Sequence, residues 1–138
     1  MENKDRSIFR KHIGRSLLNR DLDPFIEQWE LDITTNEAKQ KYSKLLDFEK
    51  IKSIEKMVTG YIQSHFQFVV KEISEKEMRL HLEAKIISTV SWCKDCCPSS
   101  NWLGLNSPNQ KIRESGLWNV NELYKEPIDE KELRLLFQ

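Results

Sequence analysis

Net charge is the first thing this chain lacks. Its 22 lysines and arginines cancel its 22 aspartates and glutamates, whereas a general nucleic-acid binder would be basic overall. No apolar run is long enough to span a bilayer, so no membrane partnership is expected. The charged N-terminus has no hydrophobic stretch of the secretory kind. Cysteine is scarce and odd in number: Cys93, Cys96 and Cys97 stand together. That excludes a disulfide framework and predicts free thiols in a reducing, cytoplasmic setting. A second cysteine pair is missing too. Structural zinc takes four ligands, and only His81 or His65 could be borrowed as the fourth, so no zinc site is expected. Internal repeats and low-complexity tracts are absent as well.

What is present suits one domain, residues 1–138, with a modest core. Hydrophobic residues make up 38% of the chain and charged residues 32%. That is well solvated, but too rich in Leu, Ile, Val and Phe for disorder. The charge is unevenly spread. Residues 1–20 hold Lys4, Arg6, Arg10, Lys11, Arg15 and Arg20 against Glu2 and Asp5, a net of +4 that leaves −4 for the remainder.

Ile8, Phe9, Ile13, Leu17 and Leu18 sit at helical spacing over 7–19. Asp23 and Pro24 suit the cap and first position of a short helix carrying Phe25, Ile26, Trp29 and Leu31. Thr34 and Glu37 offer a capping box. The clearest long helix is 47–65, with Ile51, Ile54, Val58, Tyr61 and Ile62 as its apolar stripe. Residues 66–73 are β-branched and aromatic and predict a strand. Ser74 and Glu77 box the next helix, and 93–106 reads as a loop. Ser107, Pro108 and Gln110 start a short helix that Gly116 ends. A terminal helix covers 129–137. The predicted fold is α+β, mostly helical, with a small sheet packed by helices. One strand is not a stable sheet, so either 117–124 pairs with 66–73 or another chain does.

The helix after Ser74 carries the most informative residue. Drawn at 100° per residue from Met78, Leu82, Ile86, Val90, Ile87, Leu80 and Ala84 spread over a wide apolar arc. Glu83 falls inside it, between Val90 and Ile87, while His81, Lys85 and Ser88 lie opposite. An acid on that side is costly unless a base, a metal or a catalytic role compensates it. Arg79, four residues earlier, offers a plain i,i+4 ion pair. One carboxylate is too little for Mg²⁺, which takes further carboxylates or substrate phosphates. Arg6, Arg10, Lys11, Arg15 and Arg20 recur at spacings that could line one face of the first helix. Such a face meets DNA phosphates or is simply solvated. Trp29, Trp92, Trp102 and Trp118 flank loops, which they would pin to the core; stacking on bases is the other option.

Read in order, these residues resemble a known family. Ser7-Ile8-Phe9-Arg10-Lys11-His12-Ile13-Gly14, then Leu82-Glu83-Ala84-Lys85-Ile86-Ile87, then Asn101-Trp102-Leu103-Gly104, Ser107-Pro108, Ile112-Arg113 and Ser115-Gly116-Leu117-Trp118 are similar to the later part of bacterial GIY-YIG proteins. In that superfamily a β-hairpin carries two tyrosines, the following helix an arginine, and a later helix a glutamate that holds one divalent metal. Its enzymes cut phosphodiester bonds in DNA. By this resemblance Glu83 is the metal-binding glutamate. Mg²⁺ or Mn²⁺ is implied for full-length relatives, and no cofactor is expected in this chain alone.

The chain departs from the family where it matters most. No GIY or YIG hairpin is present; Gly60-Tyr61-Ile62 only echoes one, because Tyr61 lies on a helical stripe. Arg10, Arg15 and His12 fall in a different part of the pattern from the family's catalytic residues. The resemblance therefore implies an incomplete or non-catalytic nuclease-like domain, the C-terminal part of a larger protein or one relieved of catalysis, inactive alone. The other reading is a non-catalytic DNA-associated or protein-interaction module of a bacterium or phage. The strand 66–73, short of partners, adds the expectation of a homodimer.

Overall fold

Ser7 starts the first helix. In the computed structural model, which describes residues 4–137, its Oγ accepts a bond from the Arg10 amide and caps α1, Ile8–Arg20. A 3₁₀ turn, Lys4–Arg6, precedes it. α1 buries Ile13, Leu17 and Leu18. Gly14 lies so near Trp29 that any Cβ there would strike the indole. Trp29 belongs to α2, Ile26–Glu30; it is wholly buried and donates its Nε1–H to the Lys11 carbonyl at 3.1 Å. A glycine that weakens a helix in isolation is here the seat of the largest core side chain.

α3, Asn36–Tyr42, is capped by Thr35. That is one residue beyond the expected Thr34, whose amide and hydroxyl both bond Asp32. α4, Phe48–His65, starts at Asp47, which accepts from the Lys50 amide at 2.9 Å. Its Ile51, Ile54 and Val58 enter the core built by α1 and α2. A second 3₁₀ turn, Leu103–Asn106, closes that core with Leu103, and Asn19 of α1 donates to the Asn106 carbonyl at 2.8 Å. α1 is thus the hub, packed by both 3₁₀ turns, by α2 and by α4.

Outside the hub lie α5, Lys76–Trp92, α6, Gln110–Ser115, and α7, Glu130–Phe137. Gly116 ends α6 in the left-handed region, φ +72°, where a side chain would be strained. The C-terminal stretch straps one side of α5 with polar bonds. The Ile128 amide donates to Thr89 at 2.7 Å, the Tyr124 amide to Ser91 at 2.9 Å, and Trp92 Nε1 to the Lys125 carbonyl at 2.9 Å. Lys85 pairs with Glu126, and His81 meets Glu132.

The expected α+β fold gives way to a helical one, for no strand exists among the described residues. Residues 66–73 have no regular secondary structure and no ladder, with Phe68 88% and Val69 98% exposed. A strand exists only through its ladder, and 117–124 does not supply one. Trp118 instead packs edge-on against Phe9 and Trp102, with ring centroids 6.3 and 5.1 Å apart, and Tyr124 against Trp92 at 5.3 Å. The expectation of three free thiols also fails. Cys93 and Cys96 form a disulfide at the end of α5, their Cα atoms 5.4 Å apart and so within bridging reach, and Cys97 alone is free. No described helix is long and apolar enough to cross a membrane.

Candidate functional site

α5 has two unlike sides. One is strapped by the C-terminal stretch. The other carries Leu80, Ile86 and Val90, all exposed, with Glu83 among them. Glu83 is itself exposed, and among the described residues its hydrogen-bond partner is the Asn119 amide, 3.4 Å from Oε1. The expected ion pair with Arg79 is not formed among the described residues. Arg79 Nη1 donates instead to the carbonyls of Ile73, at 2.7 Å, and Ser74, at 3.0 Å. The unpaired chain offers acceptors there that a ladder would otherwise satisfy. Water solvates the Glu83 carboxylate, so it stands on the apolar arc without the burial cost that the helical wheel suggested.

The acid that is buried beside an apolar stripe is Glu55, next to Ile51, Ile54 and Val58 of α4. Arg10 Nη2 donates to its Oε2 at 2.7 Å, to its carbonyl at 3.2 Å and to Thr59 Oγ1 at 2.9 Å. The two side chains are 15% and 11% exposed. On the helical wheel Glu55 stands just beyond the edge of that stripe, and it is Arg10 of α1 that meets it there.

The five basic candidates divide accordingly. Arg10 ties α1 to α4. Lys11 bonds Asp5 at 2.8 Å and the Glu30 carbonyl at 3.2 Å. Arg15 makes a two-point bond to Glu30 and reaches His12 Nδ1 at 3.0 Å. Arg20 pairs with neighbouring Asp21 at 2.7 and 3.1 Å, out on the surface, and Arg6 is exposed. Arg10, Lys11 and Arg15 therefore hold the hub together, while Arg6 and Arg20 are turned to solvent.

Around these pairs the interior is electrostatically tight. Burial would raise the Asp5 pKa, but bonds from Lys11, the Ile33 amide and Lys4 hold its carboxyl below the ordinary aspartate value. Burial lowers the pKa of Lys4 despite Asp5. His12 is buried; desolvation first, and then the Arg15 charge, pull it below the ordinary histidine value, so it is neutral at pH 7.

The chain belongs to the GIY-YIG domain family, whose model matches residues 2–138. Membership makes it nuclease-related. Comparisons with curated proteins and with solved structures give no match.

The family implies a divalent metal on the glutamate. Mg²⁺ takes six oxygen ligands in near-ideal octahedral geometry. Glu83 brings one carboxylate with an amide beside it, and no three His, Cys, Asp or Glu residues converge on a metal position among the described residues. The donors present do not fit the ion by themselves, and no chemical step through it follows from this geometry.

One further concave site went unread in the sequence. Tyr61 and His65 of α4 stack with ring centroids 4.3 Å apart and planes 18° apart. They line a cleft of about 360 Å³ with Arg20, Asn101, Trp102 and Asn106. The i,i+4 spacing of Tyr61 and His65 signals the stack. Nothing in the sequence brings residues 101–106 to it.

Proposed function

We propose that this chain is an incomplete GIY-YIG nuclease-like domain that associates with DNA and does not cut it alone. The observation that carries this reading is the lone, solvated Glu83 carboxylate on an open apolar face of α5, short of the donors a metal needs. The family's tyrosine hairpin is taken not to be part of this chain. Glu83 is then one ligand of a site that another segment completes. The exposed Arg6 and Arg20 are the proposed phosphate contacts, with Arg10, Lys11 and Arg15 setting the helix that presents them. The setting proposed is a bacterial or phage-infected cytoplasm, in which the Cys93–Cys96 pair would be held reduced.

The test is incubation of pure protein with supercoiled plasmid and Mg²⁺ or Mn²⁺. The plasmid is expected to remain intact. Nicking that disappears in Glu83→Gln would refute the reading and make Glu83 a working ligand.

A second copy of the chain is the proposed partner for residues 66–73. The exposed apolar side chains of Phe68, Val69 and Val70 are the proposed contact. Sedimentation at micromolar concentration should show a dimer that Val69→Lys dissociates. Because Val69 is solvent-exposed in the single chain, that lysine has no cause to unfold it, and a wild-type monomer would end the proposal.

A further inference from the structure

The cleft between the end of α4 and the turn after Ser99 has what a flat, polar-edged ligand needs. Tyr61 and His65 present one stacked pair of rings. Trp102 stands as a fixed wall: its indole lies on Gly104, where any Cβ would collide with it, and packs edge-on against Trp118 at 5.1 Å. Asn101 is exposed, with an amide that no described residue engages. His65 Nδ1 is engaged by Ser64 Oγ at 2.9 Å and by the Tyr61 carbonyl at 3.1 Å. Its other ring nitrogen, Nε2, has no partner among the described residues and is left for a ligand. Arg20, at the rim, spends two of its nitrogens on Asp21 and keeps further donors for an anion.

A volume of about 360 Å³ lies at the small end of ligand sites. It is far too narrow for a duplex and suits one nucleotide. We propose that this cleft takes a single unstacked nucleobase of a DNA strand, stacked between the ring pair and Trp102. Asn101 and His65 Nε2 read the base edge, and Arg20 meets the adjoining phosphate. The inference rests on the reading of the chain as a DNA-associated domain. It places a base-binding site away from Glu83, on the hub rather than on α5.

Fluorescence anisotropy at fixed low salt tests it with three labelled probes: a twelve-residue oligothymidine strand, an abasic strand of the same length and charge, and a blunt duplex. The thymidine strand is expected to bind about tenfold more tightly than the abasic one, the effect of one base stack. His65→Ala, at an exposed position, should erase most of that difference, and Asn101→Ala, also exposed, a smaller part of it, since it removes an edge contact and not the stack. Equal binding of thymidine and abasic strands, or insensitivity to both variants, would overturn the base site while leaving DNA association standing. Failure of all three probes to bind would overturn both. His65→Phe, which restores a ring without its nitrogens, should recover stacking affinity in part and separates a stacking role from a loss of fold.

Discussion

Gly14 and Gly60 are both glycines inside long helices, yet the same substitution at each should act in opposite directions. In an unconstrained helix, Gly→Ala stabilises by about 1 kcal/mol. At Gly60 a new methyl meets nothing within 4 Å, so Gly60→Ala should deliver that gain in full. At Gly14 the methyl would fall 2.8 Å from Trp29 Nε1 and closer still to two of its ring carbons. That is about 1 Å inside ordinary carbon contact. Trp29 cannot yield, because it is wholly buried and its Nε1–H is bonded to the Lys11 carbonyl. Overpacking costs about 1–3 kcal/mol, and a clamped indole belongs at the top of that range. Subtracting the propensity gain leaves Gly14→Ala destabilised by about 2 kcal/mol. The two variants should then differ by about 3 kcal/mol, or about 1.5 M in urea midpoint for a slope of about 2 kcal/mol/M. Equilibrium urea unfolding followed by tryptophan fluorescence measures this directly. A Gly14→Ala protein as stable as Gly60→Ala would show that α2 does not dock on α1 as described.

Stability should also fall as the pH drops below about 6.5, the unfolded histidine value. The folded His12 pKa is depressed, so the unfolded chain binds the proton first and gains on acidification until the folded value is passed. Urea midpoints across pH 5–8 should slope in the wild type and flatten over that window in His12→Gln; an unchanged slope would place the titration elsewhere. Arg10→Ala leaves Glu55 buried beside Ile51 and Val58 without its guanidinium and should cost about 3 kcal/mol. The double variant Arg10→Met/Glu55→Leu should recover much of that loss, and its failure to do so would argue that the pair holds more than each other.

How far the sequence disclosed this fold depended on how local the determinant was. α4 was readable in full, because Asp47 caps it within three residues and its stripe repeats at helical period. α3 slipped by one residue because Thr34 had a nearer use, Asp32. Residues 66–73 have the composition of a strand but form none. Propensity is local, but a ladder needs a distant partner, and Trp118 and Tyr124 had better packing elsewhere. For Glu83 a helical wheel gives an angle, not an environment: of its arc, Leu82 is buried while Leu80, Ile86 and Val90 are exposed. The cleft was half legible: the Tyr61–His65 spacing is local, while Trp102 arrives through a chain reversal some forty residues away.

Exposure of α5 also separates two explanations of its apolar residues. Were the side bearing Leu80, Ile86 and Val90 part of what holds this chain together, polar substitutions there would unfold it. All three are exposed in the single chain, and the core lies in the hub of α1, α2 and α4. Ile86→Gln should therefore leave the urea midpoint within the small range typical of surface positions, about 0.5 kcal/mol. The Cys93–Cys96 bond and the polar strap on the opposite side of α5 remain untouched by it. That outcome would leave this apolar side of α5 free for a partner to cover. Glu83 at its centre would then be covered together with it, where a carboxylate must find a cation or a donor. A large loss of stability in Ile86→Gln would instead return that side of α5 to the core and Glu83 to an ordinary surface acid.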